Sequence, residues 1–275
     1  MNFFACFLQM LLLLCAPPFI LGAVAWVLQW LYGTIVGDEG AGRPLMLAAT
    51  VLSTPLREIG HVLACMLCLH RVEEFCLLDV HAPEGEWGFV EHSYNPRNPI
   101  AIFGNFLYAL APCLIGLLAV LVVFSTCFYG VLPSFFEEIG RLGEEGADFG
   151  AYVKAAFLLI PAMFTQGEAP MVLRIVGCVL LLGICSGIHV SPAEITDAVG
   201  GFLIFTVPVA LVSGILMLLD ERALRLAFSG LHALCAGVIA LFSVVLICLA
   251  ALVALGFVFG VLRTLFSRGE AGGEV

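Results

Sequence analysis

The sequence predicts an all-α integral membrane protein with about six transmembrane helices and a small surface β-hairpin. Apolar residues make up 62% of its 275 residues, and its mean hydropathy is +1.11. Four runs carry no Asp, Glu, Lys or Arg, namely residues 1–37, 98–136, 198–219 and 226–262. Each run reaches the ~20 residues with which a helix crosses the hydrocarbon core of a bilayer. We therefore expect a multi-pass protein that has the lipid bilayer as its first partner.

The first run predicts a membrane helix over residues 3–32 and, with the polar link after it, an N-terminal region of residues 1–43. The run is too long for the apolar part of a secretory signal, and no basic residue precedes it. We interpret it as a helix that stays in the membrane.

Residues 44–99 predict a helical segment followed by the β-hairpin. The apolar segment over residues 44–70 contains Thr54-Pro55, and Pro is favoured at the first position of a helix. A helix is therefore expected to begin at Pro55, with the apolar residues before it as a separate piece. Residues 71–99 hold two runs that favour β structure around a Pro83-Glu84-Gly85 turn. We expect this hairpin to lie at the membrane surface.

The rest of the chain predicts further helices and one acidic loop. The loop covers residues 131–152, and its glutamates are expected to face solvent. Arg263 and Arg268 follow the last helix and favour a cytoplasmic C-terminal end. The helices are expected at about residues 100–130, 153–167, 169–190, 199–219 and 230–262.

Charge and cysteine content narrow the classes of function. The formal net charge of −10 argues against a nucleic-acid partner, because such proteins present basic patches. Most of the 11 cysteines lie in apolar runs, where they act as small apolar side chains. Cys65 and Cys68 have the spacing of a metal-ligand pair, but no second pair follows. We therefore do not expect this pair to bind a metal.

Three ionisable residues interrupt the segment over residues 44–70. Arg57, Glu58 and His61 would lie on one side of a helix. An ionisable side chain at the centre of a membrane helix costs ~2.5–3.5 kcal/mol, so such residues usually face the protein interior and serve a site. The structural alternative is an ion pair of Arg57 with Glu58 or Glu194 that only holds helices together.

Three stretches resemble, in the same order, the motif regions of the site-2-protease-like intramembrane zinc metalloproteases. The first, REIGHVLAC (57–65), is similar to the H-E-x-G-H motif of that family. The second, GFVEHSYNPRNPIAIFGNFLYALAPCLIG (88–116), resembles a surface strand and the helix after it. The third, HVSPAEITDAVGG (189–201), resembles the region of the third metal ligand.

This resemblance covers about residues 44–201 and implies a site-2-protease-like core of three helices. These helices are expected at about residues 44–70, 100–130 and 175–201, with further C-terminal membrane helices over residues 202–275. Relatives in bacteria make the bacterial inner membrane the expected location.

The resemblance also implies a zinc enzyme that hydrolyses peptide bonds of membrane-spanning substrates. Its zinc would take two histidines one turn apart and a carboxylate from another helix, and a glutamate would deprotonate the metal-bound water. In this chain His61 and Glu194 match ligand positions, and Glu58 matches the general base. Asp197 is the alternative to Glu194, because some relatives place their acidic ligand there.

Arg57 stands where the family has its first histidine ligand. A guanidinium stays protonated and offers only hydrogen-bond donors, so it cannot bind zinc. We therefore expect no zinc, with Arg57 in its place and paired with Glu58 and Glu194. The sequence predicts a pseudoprotease that binds a transmembrane protein substrate or partner subunit without cutting it.

Three alternatives stay open. An active zinc metalloprotease with an unusual ligand set would recruit His92 or His189 in place of Arg57. A structural subunit of a membrane complex would use the buried ions only to hold helices together. A small transporter would use the carboxylates and His61 as a proton relay, although nothing in the sequence resembles the inverted repeats of transporters.

Overall fold

The structure is a computed structural model that describes residues 2–37, 40–82, 87–165, 168–218 and 221–271, with side chains to residue 265. Within these ranges the chain forms nine α-helices and one two-stranded sheet, so the all-α class with a small hairpin is confirmed. The elements are α1 Phe3–Val36, α2 Gly42–Thr50, α3 Ser53–Leu67, β1 Arg71–Cys76, β2 Phe89–Ser93, α4 Pro99–Cys127, α5 Val131–Glu144, α6 Phe149–Thr165, α7 Met171–Cys185, α8 Pro192–Leu218 and α9 Glu221–Ala271.

Four helices in the described part of the chain are long and apolar enough to cross a membrane. They are α1, α4, α8 and the part of α9 over Glu221–Leu265. Each is longer than the ~20 residues that a bilayer requires. The helices α6 and α7 are also apolar but shorter, with 17 and 15 residues. Length and composition thus indicate a membrane protein.

The long helices pack around one main apolar core. α9 lies along α1 and α6, while α4 lies between α3 and α8. Large side chains from five helices are fully buried in this core, including Tyr32, Phe124, Leu159, Leu181 and Phe242.

Two glycines allow α3, α4 and α8 to approach one another at backbone distance. A Cβ atom on Gly60 of α3 would lie 3.0 Å from the carbonyl oxygen of Ala111 in α4. A Cβ atom on Gly201 of α8 would lie 2.6 Å from the carbonyl oxygen of Ile102, also in α4. Larger residues at these positions would therefore push the helices apart.

The expected hairpin is present. β1 and β2 pair antiparallel, with Arg71 opposite Ser93 and Phe75 opposite Val90, and the register shifts once between Val72 and Glu74. The expected Pro83-Glu84-Gly85 turn lies outside the described residues.

The prediction of an acidic loop over residues 131–152 is wrong for most of that stretch, because residues 131–144 form the helix α5. Val131, Leu132, Ile139 and Leu142 are buried and recur at helical spacing, so one face of α5 packs against the protein. The glutamates lie on the outer face, where Glu138 and Glu145 pair with Arg141.

Three helices begin earlier than the sequence predicts. α3 begins at Ser53 rather than Pro55, α8 at Pro192 rather than residue 199, and α9 at Glu221 rather than residue 230. For α8 and α9 the prediction treated charged residues as the end of an apolar run. Acidic residues instead favour the first turn of a helix, because they complement its dipole.

Candidate functional site

The candidate site is a buried group of ionisable side chains between α3 and the start of α8. Arg57, Glu58 and His61 come from α3, and Glu194 comes from the first turn of α8. Glu58, His61 and Glu194 are buried, whereas the Arg57 side chain keeps 21% of its surface exposed. The fold thus brings together Arg57, Glu58, His61 and Glu194, as the sequence predicts.

Arg57 and Glu194 form the closest contact of the group. The Nη2 atom of Arg57 donates to Oε1 of Glu194 at 2.6 Å, across 137 positions of sequence. The Nε2 atom of His61 lies 3.3 Å from the same oxygen. The Nε atom of Arg57 lies 3.8 Å from Oε1 of Glu58, which places the guanidinium between two carboxylates.

The start of α8 fixes the orientation of the Glu194 carboxylate. The backbone N–H of Ser191 donates to Oε2 of Glu194 at 2.6 Å, and the backbone N–H of Glu194 donates to Oγ of Ser191 at 3.3 Å. This reciprocal pair is a capping box, and Pro192 stands at the first helical position, where proline is favoured. The sequence carries the signal for this helix start, because Ser191 and Glu194 have the Ser-x-x-Glu spacing of a capping box.

His189 also contacts Arg57. Both ring nitrogens of His189 lie 3.1 Å from Nη1 of the guanidinium. Desolvation, together with the nearby charge of Arg57, lowers the pKa of His189 to about 3. The ring is therefore neutral at pH 7 and can accept a hydrogen bond from Arg57.

The two acidic alternatives from the sequence differ in position. Glu194 contacts both Arg57 and His61, as described above. Asp197 is exposed, and among the described residues it forms no ion pair with Arg57 or His61. Of the two carboxylates, only Glu194 lies close enough to His61 for both side chains to contact one metal ion.

The residues at this position do not fit a zinc ion. A zinc site would need the Glu194 carboxylate and a nitrogen ligand at residue 57. The carboxylate oxygen instead accepts a hydrogen bond from the Arg57 guanidinium at 2.6 Å, which places a fixed positive charge beside it. The Nδ1 atom of His61 is buried and has no hydrogen-bond partner among the described residues, so Nε2 makes the ring's polar contact.

A stack of aromatic rings leads from this group to the hairpin. The ring centroids of His61 and Tyr108 lie 4.0 Å apart, and those of Tyr108 and His92 lie 4.5 Å apart. The stack continues from His92 to His70 and from His70 to Tyr94, each at 5.0 Å. His92, a sequence candidate for a substitute zinc ligand, is thus separated from the buried ion pair by the ring of Tyr108.

The hairpin lies directly on Glu58. A Cβ atom on Gly88, just before β2, would lie 2.8 Å from Cγ2 of Thr54 and 3.0 Å from Cγ of Glu58. Within the described residues β2 pairs only with β1 and is therefore an edge strand, and the hydroxyl of Tyr108 lies 3.5 Å from the carbonyl oxygen of Val90 in β2. An edge strand thus lies next to the buried carboxylate.

Comparisons of this chain with protein-family models, with curated proteins and with solved structures found no match. The resemblance to site-2-protease-like proteins thus depends on the three sequence stretches alone, and the function inferred from it is a proposal.

Proposed function

We propose that this chain is a multi-pass protein of the bacterial inner membrane with a site-2-protease-like core, and that it binds a transmembrane segment of another protein without cleaving it. The observation that supports this proposal is the 2.6 Å contact between Arg57 and Glu194 beside His61. In this contact a cation of the protein itself lies beside His61 and Glu194, the two residues that the resemblance matches to metal ligands.

Loss of hydrolysis follows from the charge of Arg57. Metal-assisted hydrolysis needs a dication that lowers the pKa of a bound water to ~7 and a carboxylate that takes the proton. A unit charge repels a nearby dication strongly in a partly buried site. Glu58 would then have no activated water to deprotonate, and its carboxylate would contribute charge only.

Binding of a transmembrane segment would use the surface formed by α3 and the hairpin. On α3, the large apolar side chains of Leu63, Met66 and Leu67 are exposed. The hairpin packs against the same helix, and its edge strand β2 would pair with an extended stretch of a partner by strand addition. An apolar helix face together with an edge strand suits a membrane segment that is partly unwound.

The metal position is tested with Arg57→His, which puts a second imidazole one turn of α3 before His61, at the position that now contacts Glu194. We expect the purified variant to contain about one more zinc per chain than the wild type by elemental analysis, because three protein ligands then converge. The double variant Arg57→His/His61→Ala should lose this extra ion. Arg141→His is the matched control, since Arg141 also pairs with two glutamates but is exposed, and within the described residues its side chain bonds only to Glu138 and Glu145.

Two results would contradict the proposal that Arg57 impairs a former zinc site. No gain of zinc in Arg57→His would mean that the four residues are not arranged as a metal site. A zinc ion in the wild type that disappears on His61→Ala would favour the active metalloprotease instead.

Partner binding is tested by a photo-crosslinking amino acid at Met66 of α3. We expect it to capture a membrane-spanning polypeptide of unchanged length, because the segment is bound but not cut. Phe157 on α6 is the control position, since it is also exposed and apolar. Equal capture at both positions, or capture of a shortened polypeptide, would contradict the proposal.

A structural subunit of a membrane complex is the second candidate. Both carboxylate oxygens of Glu194 already serve structural contacts, one with Ser191 and one with Arg57, and this observation favours it. A permanent subunit would keep its partner in stoichiometric amounts through purification, whereas a recognition protein would release it on dilution.

A further inference from the structure

A second group of metal-binding side chains lies where α3 ends against the hairpin. Cys65 comes from α3, His70 follows α3, and His92 comes from β2. The ligand atoms of these three residues all lie within 4.8 Å of one another. Cys65 and His70 are buried, and His92 is half-buried.

The hydrogen bonding of His70 leaves one of its nitrogens available to a metal. Nε2 of His70 lies 2.7 Å from the carbonyl oxygen of Ala101. A carbonyl oxygen only accepts hydrogen bonds, so Nε2 carries the proton and Nδ1 keeps its lone pair. Metal-binding histidines commonly donate their other N–H in this way, which fixes the ring and its tautomer.

The Nδ1 atom of His70 is otherwise without a partner. It is buried and has no hydrogen bond among the described residues, and the residue as a whole is only 7% exposed. A buried polar atom without a partner destabilises the folded state. A bond to a metal ion would remove this destabilisation.

We propose that Cys65, His70 and His92 bind a zinc ion, with a fourth position left to water or another ligand. One thiolate and two neutral imidazoles are ligands that zinc prefers, whereas calcium and magnesium need oxygen ligands. This zinc position is separate from the Arg57 group, because the ring of Tyr108 lies between His61 and His92.

Binding requires a small closure of the three side chains. Zinc bonds of ~2.0–2.3 Å place tetrahedral ligand atoms roughly 3.5 Å apart, which is closer than the 4.8 Å limit within which these atoms lie. The rings of His70 and His92 are stacked, with an interplanar angle of 13°. Rotation of the half-buried His92 ring would point a nitrogen toward the other two ligands.

The zinc ion would add a link between α3 and the hairpin. It would connect the end of α3 to β2, while the His70–Ala101 hydrogen bond connects the same position to the start of α4. The hairpin would then be fixed over Glu58. Metal binding at such a position contributes directly to the stability of the folded state.

The test is the zinc content of the full chain, purified in detergent after expression with added zinc. We expect about one zinc per chain in the wild type and a loss of most of it in Cys65→Ser, His70→Ala and His92→Ala. Cys127→Ser and His232→Ala are matched controls, because they change a buried cysteine and a half-buried histidine elsewhere. His61→Ala should retain the ion, which separates this site from the position beside Arg57.

X-ray absorption at the zinc edge of the unmodified protein keeps the proposal testable if a variant fails to fold. It should show one sulfur and two imidazole nitrogens around the metal. Absence of zinc from the wild type, or a shell without sulfur, would overturn the proposal. Copper bound by the same three residues would overturn the choice of metal. The test of Arg57→His can be repeated in Cys65→Ser, so the two metal positions are measured independently.

Discussion

The carboxylate of Glu194 has two partners at once, because one oxygen caps α8 and the other accepts from Arg57. Removal of one member of a buried ion pair leaves the other charge without compensation, which is more costly than loss of the attraction itself. Loss of the Glu194 carboxylate is therefore expected to lower the free energy of unfolding more than loss of any exposed acidic side chain.

Glu194→Gln is expected to lower the free energy of unfolding by about 3–5 kcal/mol, because it leaves the partly buried Arg57 without its carboxylate. Thermal unfolding followed by circular dichroism in detergent measures the change. Glu138→Gln is the control, since Glu138 pairs with Arg141 at an exposed position and its loss should barely move the midpoint. The double variant Arg57→Gln/Glu194→Gln should recover part of the loss. Equal thermal midpoints for Glu194→Gln and Glu138→Gln would mean that the buried ion pair contributes nothing to stability.

The pKa of His189 makes stability dependent on pH. Desolvation and Arg57 lower this pKa from the ordinary 6.5 to about 3. Between these two pH values the unfolded chain therefore binds a proton at His189 that the folded chain does not bind. The contribution is fully present above pH 6.5 and is lost as the pH falls toward 3. His189→Gln keeps a hydrogen-bond acceptor for Arg57 and cannot titrate.

In His189→Gln, the fall of the unfolding free energy between pH 6 and 4 should become shallower by up to about 1.4 kcal/mol per pH unit. Denaturant unfolding at several pH values measures this slope. His81→Gln is the control, because the side chain of His81 is 92% exposed, and it should leave the slope as in the wild type. An unchanged slope in His189→Gln would show that the ring titrates alike in both states.

At the scale of elements, the close packing of α3 on α4 determines where the ionisable group lies. Gly60 stands one residue before His61 and faces the backbone of Ala111. An added methyl group would move α3 away from α4, and overpacking of this kind typically costs ~1–3 kcal/mol. The same displacement would lengthen the contact between Arg57 and Glu194.

Gly60→Ala is therefore expected to lower the thermal midpoint, whereas Gly140→Ala should leave it unchanged or raise it. Gly140 lies in α5 with no atom within 4 Å of an added Cβ, and alanine favours a helix over glycine by ~1 kcal/mol. Both variants change the same chemical group, so the difference between their midpoints reports the helix contact. An unchanged thermal midpoint in Gly60→Ala would contradict the close approach of α3 and α4.

The sequence predicts the helices best where apolar runs are long, as for α4. It fails for α5, because its exposed glutamates hide the apolar face formed by Val131, Ile139 and Leu142. The start of α8 was also missed, although Ser191 and Glu194 have the spacing of a capping box. In both cases charged residues suggest a loop in the sequence. In the structure the glutamates of α5 lie on the outer face of the helix, and Glu194 lies in the first turn of α8.

The candidate site is only partly accessible to sequence reasoning. Helical spacing predicts that Arg57 and His61 lie together, because they are one turn apart on the same helix. The meeting of Cys65, His70 and His92 depends on the packing of α3, β2 and α4, which no spacing in the sequence encodes. The unpartnered Nδ1 of His70 becomes visible only in the structure.

For the whole molecule, the four long apolar helices predict firm association with a membrane. Many of their large apolar side chains are exposed, for example Leu12, Leu118, Leu211 and Phe257. Their transfer from lipid to water would cost ~25 cal/mol per Å² of apolar surface. Such a surface is suited to hydrocarbon rather than to water.

The chain is therefore expected to remain in the membrane pellet after washing with alkaline carbonate and to dissolve only with detergent. Immunoblotting of both fractions measures this partition. A peripheral protein that is bound only through charges should be released by the same wash and serves as the control. Release of most of the chain into the carbonate supernatant would contradict a membrane-spanning arrangement.

The distance in sequence between Arg57 and Glu194 has a consequence for biogenesis. The guanidinium leaves the ribosome 137 residues before its carboxylate, which corresponds to about 7–27 s of translation. During that interval Glu58 is the carboxylate beside the guanidinium, because it follows Arg57 directly in α3. The ion pair that joins α3 to α8 therefore forms only after the start of α8 has been synthesised.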